Sequence, residues 1–348
     1  MAFSDEILRW YASNKRSLPW RETTDPYKIW LSEIMLQQTR VEQGLPYYEK
    51  FLRHFPTVEE LSEAGEKKVL KLWQGLGYYS RARNLHATAK MVSQKLGGRF
   101  PGTYEDLLQL KGVGDYTASA IGSICFGLPE PVVDGNVYRV LARYFGVDMP
   151  VNGSAGKRYF KQLAREVMDT DTPGDYNQAI MEFGARQCTP SKPGCANCPL
   201  GNACVALKEK KVAQLPVKTK KGAVRKRYFN YLVPIDADFK TLLRQRRETD
   251  IWRHLYEFPL LESEGIVAEP EILQWLPEML NGLEKPMVEQ VKEAEIVHKL
   301  SHQHLYTRFW IVRSQGSLVG GIPLGELEEY PVPVLIADFI KTLKNSYF

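Results

Sequence analysis

The pattern of apolar and polar residues changes once along the chain, near residue 227. Before that point, apolar residues recur every three or four positions, which is typical of amphipathic helices, and no segment has the alternation of a strand. After it, alternating apolar and polar residues predict strands joined to further helices. The sequence therefore predicts an all-α region followed by a separate α/β domain.

Individual elements can be assigned from the same pattern. The clearest helical segments in the first region span residues 4–13, 57–61, 66–74 and 80–95. The predicted strands span residues 228–233, 241–243, 291–299 and 305–312, with helices near 270–281 and 334–345.

The stretch at residues 107–136 is the most informative part of the helical region. A short helix precedes Gly112 and Gly114, whose backbone freedom favours a tight turn, and a second helix follows them. The N–H groups of the turn and of the next helix would face outward together, which suits a phosphate oxygen. The sequence therefore predicts a helical hairpin that binds DNA at these two glycines.

Two other interpretations of this hairpin are open. The glycines of Gly112-Val113-Gly114, with Asp134 twenty positions after the second, are similar to a dinucleotide-binding motif. That motif needs a strand before the glycines, however, and residues 104–110 have a helical pattern. A structural hairpin without a ligand is the second alternative, because the Gly-x-Gly spacing alone is a weak signal.

Length and composition set wide limits on function. With 348 residues, the chain is long enough for two domains that each bury a core. Its net charge of +5 permits a polyanionic partner without requiring one. The first residues carry no basic and apolar leader, and the chain has no apolar run of about eighteen residues. We therefore expect a cytoplasmic, nucleoid-associated protein with no membrane partner.

Two carboxylates are candidates for acid–base chemistry. Glu33 shares a helical face with Ile29 and Trp30, where loss of solvation would raise its pKa toward neutrality unless an Arg or a backbone donor pairs with it. Asp134 precedes a helical segment and is typical of an N-cap, which favours the ionised form. The two environments predict one neutral and one charged carboxyl group.

A metal site is indicated by the cysteines. Four of the five lie within seventeen positions, with the spacing C-x6-C-x2-C-x5-C, and prolines make this segment a tight loop. Thiols this close together in a reducing compartment indicate metal binding rather than disulfides. Zinc and an iron–sulfur cluster both fit the spacing, because each takes four Cys ligands. The predicted ligands are Cys188, Cys195, Cys198 and Cys204.

A basic linker separates the two regions. Residues 216–227 are rich in lysine and arginine and contain proline and glycine, which predicts a connecting segment. This leaves a helical core over residues 1–215 and an α/β domain over residues 228–348. The basic residues, which surround Gly222, are Lys218, Lys220, Lys221, Arg225, Lys226 and Arg227.

Taken in order, these motifs resemble the adenine DNA glycosylases of the MutY type, in the helix-hairpin-helix superfamily. The resemblance covers nearly the whole chain. Its most specific parts are residues 31–39, 75–79, 112–114 and 134–137 and the four-cysteine loop. It implies a multidomain protein with an all-α glycosylase core, an iron–sulfur cluster loop and a C-terminal α/β domain of Nudix type. Within the core it implies a helical barrel over residues 19–127 and a cluster lobe from residues 1–18 and 128–215.

The resemblance also implies a reaction, namely hydrolytic removal of adenine opposite 8-oxoguanine or guanine in double-stranded DNA. Such a reaction needs a proton for the leaving base and stabilisation of a cationic sugar, so two carboxyl groups in different protonation states are required. The family assigns the first role to Glu33 and the second to Asp134, with Tyr116 and Asn136 orienting them. It implies a monomer that carries a 4Fe–4S cluster on the four cysteines.

Further contacts with DNA follow from the same resemblance. Trp20, Arg21 and Gln178 would surround the flipped adenine. Gln38, Thr39 and Tyr78 would contact the duplex at the mispair, with Gln38 and Tyr78 entering it.

The segment Leu300-Ser301-His302 lies between two predicted strands of the C-terminal domain, where the family commonly has Phe-Ser-His. The resemblance implies that Ser301 and His302 recognise 8-oxoguanine by hydrogen bonds. It also implies that Leu300 takes the wedging position of the usual aromatic residue, with less stacking energy than an aromatic ring. The alternative is an ordinary turn with exposed histidines. No Nudix hydrolase motif follows Phe258-Pro259, so we expect recognition without hydrolysis there.

Two other functions fit parts of the sequence. A non-catalytic DNA-binding protein could use the same hairpin, although both carboxylates of the reaction are present. A bifunctional glycosylase and lyase would carry a nucleophilic Lys two positions after the second hairpin glycine, and this chain has Tyr116 there. A phenol cannot form the Schiff base that the lyase reaction requires.

Overall fold

The computed structural model describes residues 2–219, 224–280, 283–291 and 296–347. The chain forms two compact units, here called the first and the second unit. The first comprises Met1–Glu63 and Asn84–Lys220, and the second comprises Ala64–Arg83 and Lys221–Phe348. Lys220, Lys221 and Gly222 of the predicted linker lie outside the described residues.

Every regular element in the described part of the first unit is helical, as the sequence predicts. The α-helices are α1 (Phe3–Asn14), α2 (Pro26–Leu36), α3 (Val41–His54), α4 (Val58–Glu63), α6 (Ser80–Lys95, which begins in the second unit), α7 (Tyr104–Leu108), α8 (Asp115–Phe126), α9 (Gly135–Phe145), α10 (Ser154–Glu166), α11 (Pro173–Arg186) and α12 (Val205–Lys208). Two short 3-10 helices span Pro19–Arg21 and Cys195–Asn197. None of the helices in the described part of the chain is both long and apolar enough to span a bilayer.

Local sequence signals fix the ends of the helices that carry the candidate site. Asp25 caps α2 by accepting the N–H of Tyr27, and Pro26 occupies the first position, where its missing donor costs nothing. Helices α8 and α9 both end at a glycine in the left-handed conformation, Gly127 and Gly146. The apolar faces of α1, α8, α9, α10 and α11 share one buried core.

The second unit is built on a mixed sheet with the strand order β5-β1-β8-β6, in which β7 also pairs with β8. Its two long strands, β1 (Arg225–Ile235) and β8 (Gln303–Arg313), run parallel, and all other pairs in this sheet are antiparallel. Its shorter strands are β5 (Leu260–Ser263), β6 (Met287–Gln290) and β7 (Ile296–Lys299). Two separate two-stranded sheets pair β2 (Lys240–Thr241) with β9 (Ile322–Pro323) and β3 (Arg244–Gln245) with β4 (Tyr256–Glu257). Part of the strand predicted at residues 291–299 lies outside the described residues.

Helices cover both faces of this sheet, because alternate residues of β1 and β8 are apolar on each side. Helix α14 (Val334–Tyr347) packs on one face, where the rings of Phe309 and Phe339 stack with centroids 3.7 Å apart. Helix α13 (Glu269–Met279) packs on the other face against Leu232 and Trp310. A 3-10 helix, Leu324–Glu329, precedes α14.

The segment Ala64–Arg83 carries α5 (Glu66–Trp73) and is part of the second unit. Its contacts there include a short polar pair, in which Glu66 lies 2.6 Å from His254 Nδ1, and a hydrogen bond from Arg83 to the carbonyl of Arg253 at 2.7 Å. The periodic pattern at residues 66–74 predicts this helix but not the unit to which it belongs.

Candidate active site

Two adjoining cavities in the first unit bring the predicted catalytic residues together. One, of about 490 Å³, is lined by Glu33, Tyr116, Asp134 and Asn136 and by Trp20, Arg21 and Gln178. The other, of about 770 Å³, shares the four catalytic candidates and is lined by Gln38, Thr39 and Gly114 as well. These residues come from five separate segments of sequence, so the fold and not their spacing assembles the site.

Glu33 lies on the buried side of α2 and is 7% exposed. Burial raises the pKa of its carboxyl group to about 7, although a hydrogen bond from Tyr116 acts in the opposite direction and the nearby Asp134 adds to the rise. The Tyr116 hydroxyl also lies 3.1 Å from the sulfur of Met181, which fixes the phenol between two partners. A carboxyl group in this state can donate a proton near neutral pH.

Asp134 is the N-cap of α9, as its sequence predicts. One carboxylate oxygen accepts the N–H groups of Asn136 and Val137, both at 2.9 Å, and the other accepts the side-chain amide of Asn136 at 2.8 Å. Burial raises the pKa of Asp134 above its ordinary value, while these hydrogen bonds and the charge of Arg139 oppose the rise. The cap alone predicts a charged group; burial, which the sequence does not show, acts against ionisation.

Arg139 connects the site to the cysteine loop, and the sequence analysis missed it. Its guanidinium donates to the side-chain oxygen of Asn136 at 2.9 Å, to the carbonyl of Gly184 at 2.6 Å and to the carbonyl of Cys188 at 2.6 Å. The sequence places Arg139 beside Val140 on a helix with an apolar face. An arginine that is buried there needs hydrogen-bond acceptors, which is the signal that could have identified it. The geometry makes Arg139 the residue that holds Asn136 against Asp134.

Glu182 is a second residue that the sequence analysis missed. It is 1% exposed, lies on α11 between apolar neighbours and pairs with Arg16 at 2.7 Å and with Arg21 at 2.8 Å. Burial alone would raise the pKa of Glu182, but the two guanidinium groups hold it at about 2. The carboxylate therefore fixes Arg21 at the cavity, and its place in an apolar run is the same signal that identified Glu33.

The hairpin before α8 has the tight turn that its glycines predict. Gly112 has a φ of +83°, and a side chain there would come within 2.9 Å of Asn84. The N–H of Val113 donates to the carbonyl of Leu110 within the turn and is therefore not available to a phosphate, whereas the first N–H groups of a helix such as α8 have no partner within the helix. Asp115 in that turn lies 2.7 Å from the ammonium of Lys161, which offsets its repulsion of an approaching phosphate.

The four-cysteine loop gathers four thiols without disulfides. They are near enough for Cys188, Cys195 and Cys204 to act on the pKa of Cys198, which burial raises to about 11. Arg143 donates to the sulfur of Cys188 at 3.4 Å, as donors around metal-bound sulfur commonly do.

Zinc and an iron–sulfur cluster make different geometric demands on four thiols. A zinc ion would draw four sulfurs to about 2.3 Å from one point. Among the described residues, no group of three or more His, Cys, Asp or Glu side chains is arranged to hold a single ion. Both groups take four thiolate ligands, so the donor set by itself fits either one.

The remaining predicted contacts belong to the second unit. Tyr78 is 46% exposed and has a φ of +47°, which is uncommon for a residue with a side chain. Ser301 and His302 are exposed at the turn between β7 and β8, and the Ser301 hydroxyl lies 3.3 Å from His302 Nδ1. Leu300 is half-buried against the core under α14, because an apolar side chain gains by leaving water, so only part of it faces outward.

Comparisons with known proteins agree with this architecture. Residues 31–170 match the family model of HhH-GPD superfamily base excision DNA repair proteins, and residues 230–342 match that of the NUDIX domain. The chain is 35% identical over 325 residues to the adenine DNA glycosylase of Buchnera aphidicola subsp. Baizongia pistaciae, an alignment that covers 91% of this chain and 88% of that protein. The human adenine DNA glycosylase is 43% identical over 223 residues, or 62% of this chain and 41% of the human protein.

Solved structures give the same result for the fold. A thermostable thymine-DNA glycosylase superposes with a TM-score of 0.56 and 31% identity, covering 60% of this chain and 95% of that one. An endonuclease III trapped as a covalent intermediate with DNA superposes with a TM-score of 0.52 over 60% of this chain and 94% of that one, at 21% identity. The predicted fold class, a helical glycosylase core with a C-terminal Nudix-like domain, is confirmed.

Proposed function

Because this chain belongs to the adenine DNA glycosylases of the helix-hairpin-helix superfamily, we propose that it removes adenine mispaired with 8-oxoguanine or guanine from double-stranded DNA. The observation that carries this proposal is the pairing of Glu33, whose pKa is about 7, with the capped carboxylate of Asp134 in the lining of one cavity. A cytoplasmic, nucleoid-associated monomer is part of the same proposal.

The reaction follows from these two groups. The adenine leaves the base stack and enters the cavity beside Trp20 and Arg21. Glu33 gives its proton to a ring nitrogen of the base, so that the N-glycosidic bond breaks with both electrons leaving on neutral adenine. Positive charge then develops on the sugar, and the Asp134 carboxylate stabilises it or bonds to it transiently. Water attacks the sugar carbon as the Glu33 carboxylate takes back a proton.

The product is an abasic site in an intact strand. Tyr116, which lies where a lyase of this superfamily would have its Lys, cannot form a Schiff base with the sugar, and this supports hydrolysis alone. Incubation with a duplex that carries adenine opposite 8-oxoguanine should therefore release free adenine and leave a strand that breaks only in alkali. A duplex with adenine opposite thymine is the control. Failure to release adenine would contradict the proposal.

The pH dependence of excision should report Glu33. Glu33 loses the proton that it must donate as the pH rises through about 7, so the single-turnover rate should fall above that pH. On the acid side, the rate should fall as Asp134 becomes protonated. Rates measured with saturating enzyme between about pH 5 and pH 9, with DNA binding measured in parallel, would test this. A rate that stays constant above about pH 7 would contradict the assignment of the acid.

We propose a 4Fe–4S cluster on Cys188, Cys195, Cys198 and Cys204. The four-cysteine donor set supports it, and the cluster would hold the loop in shape without acting on the base. Arg143 would stabilise it through the sulfur of Cys188. Metal analysis after anaerobic purification should give about four iron atoms per chain, as four-cysteine clusters of this type require. Stoichiometric zinc without iron would overturn this assignment.

We propose that Ser301 and His302 read the oxidised base. A hydroxyl and an imidazole can hydrogen-bond the N7–H and O8 edge of 8-oxoguanine, which guanine lacks, and both side chains are exposed. Ser301→Ala and His302→Ala should each lower the rate on adenine opposite 8-oxoguanine by about tenfold, the worth of one such hydrogen bond, and change the rate opposite guanine less.

The control for this comparison is His304→Ala, since His304 is half-buried and follows the loop on β8. Its substitution should leave the ratio of the two rates unchanged. Equal losses on both duplexes for Ser301→Ala and His302→Ala, or no loss on either, would show that this loop does not read the base.

A further inference from the structure

Two of the predicted DNA-contacting elements outside the catalytic cavity belong to one unit. Tyr78 in the turn at residues 75–79 and the loop at residues 300–302 are both in the second unit, whereas Glu33 and Asp134 are in the first. We propose that residues 330–332 position Tyr78 for its contact with DNA, acting through Gln74 and Tyr79. This inference rests on the proposed function, because it concerns recognition of the base opposite the adenine.

Both ends of the Tyr78 turn are bonded to this C-terminal segment. At the start of the turn, the side-chain oxygen of Gln74 accepts the N–H of Val332 at 3.3 Å and the ammonium of Lys71 at 3.0 Å. Lys71 also donates to the carbonyl of Tyr330 at 3.1 Å. At the end of the turn, the Tyr79 hydroxyl donates to the carbonyl of Val332 at 3.4 Å.

Residues 330–332 are themselves held in the fold of the second unit. The carbonyl of Pro331 accepts the N–H of Tyr256 in β4 at 2.8 Å. The rings of Tyr256 and Tyr330 pack edge to face with centroids 5.0 Å apart. Val332 is buried in the core between the sheet and α14. β4 belongs to a separate two-stranded sheet with β3, so the link to the five-stranded sheet runs through Val332, which shares its core with Phe309 and Ile311 of β8. β8 begins directly after the loop at residues 300–302.

The turn is held in a conformation that needs such support. Gly75, Gly77 and Tyr78 all have positive φ values, of 98°, 77° and 47°. The carbonyl of Gly77 is fixed by Trp73 at 3.0 Å and by Arg81 at 3.1 Å. A left-handed residue that carries a side chain costs free energy and persists only where its surroundings determine it. These contacts hold the exposed ring of Tyr78 on a rigid turn, and a side chain that enters a duplex needs such support.

The separation between Tyr78 and the base-reading loop is consequently set within one unit. Gln74 and Tyr79 are positioning residues, and they act on the choice of opposite base rather than on the chemistry at the adenine. Weakening them should reduce the advantage of 8-oxoguanine over guanine and leave the slower reaction opposite guanine little changed.

The test uses Gln74→Ala and Tyr79→Phe in the full chain, with Gln94→Ala as the control, because Gln94 is an exposed glutamine on α6. Single-turnover excision is measured opposite 8-oxoguanine and opposite guanine. We expect the ratio of the two rates to fall about fivefold in Gln74→Ala, the lower range of measured couplings between sites. Tyr79→Phe, which removes only a hydroxyl, should shift the ratio in the same direction, and Gln94→Ala should not shift it.

Combining Gln74→Ala with His302→Ala separates positioning from loss of stability. If the turn and the loop act together, the double variant loses less selectivity than the product of the two single losses. Equal slowing on both duplexes, or fully multiplicative losses of selectivity, would overturn the inference. A wild-type enzyme that released no adenine from either duplex would instead contradict the proposed function, which is a distinguishable result.

Discussion

Glu33→Gln is expected to lower the single-turnover rate of adenine excision by about a thousandfold while DNA binding stays close to that of the wild type. The amide matches the carboxyl group in shape and can still accept the hydrogen bond from Tyr116. It cannot deliver a proton to the leaving base or take one from water. Rates measured with excess enzyme, together with the dissociation constant for the mispaired duplex, would separate the two effects.

The same variant should also be more stable than the wild type in alkali. The pKa of Glu33 in the folded protein, about 7, lies above its ordinary value of 4.5, so the neutral form stabilises the fold. This stabilisation is complete below the lower value and is lost as the pH rises through about 7. Glu33→Gln should therefore raise Tm relative to the wild type at about pH 8 and have little effect at about pH 4.5.

A Glu33→Gln variant that retained a near-normal rate of excision would refute the role of Glu33 as the acid.

Asp134→Asn is expected to reduce excision by at least about a hundredfold, because the cationic sugar would lose the negative charge that stabilises it. Asparagine caps helices about as well as aspartate, so α9 should keep its start and the protein its fold. The loss should appear in the single-turnover rate, with little change in Tm or in the affinity for DNA.

A suitable control for Asp134→Asn is Asp169→Asn, since Asp169 also accepts backbone N–H groups, those of Asp171 and Thr172, but is not among the residues that line the cavities. It should leave excision unchanged. If Asp134→Asn kept more than about a tenth of the wild-type rate, charge stabilisation by this residue would be excluded.

Elements set by local chemistry could be predicted from the sequence. Helix α6 has the bounds 80–95 that its pattern predicts, and α9 begins directly after its predicted cap, Asp134. The alternation after residue 227 likewise predicts β1 and β8. Both strands extend beyond their apolar segments, because residues at their ends such as Arg225 and Arg313 pair with the neighbouring strand without being buried.

Contacts between distant segments could not be predicted in this way. Glu182 meets Arg16 across 166 positions, and nothing in the pattern around either residue indicates the other. The pKa of Asp134 depends on how far the cavity is closed to water, which a cap motif does not encode. The half-buried state of Leu300 could not be predicted either, because its side chain packs partly against residues of α14 and the sheet that are distant in sequence.

The second unit is formed from two pieces of chain that lie far apart in the sequence, and this sets the order in which its contacts can form during synthesis. Its two pieces, Ala64–Arg83 and Lys221–Phe348, are separated by the whole of Asn84–Lys220, and its two long parallel strands are the first and eighth in order. During translation, α5 is made before Tyr330 and Val332, so the contacts of Lys71 and Gln74 with that segment can form only after residue 332 has been made. Pairings between such distant segments form slowly. The two pieces of this unit therefore join only after Asn84–Lys220 has been made, and a chain that stopped before residue 330 would keep the catalytic carboxylates without the contacts that hold Tyr78.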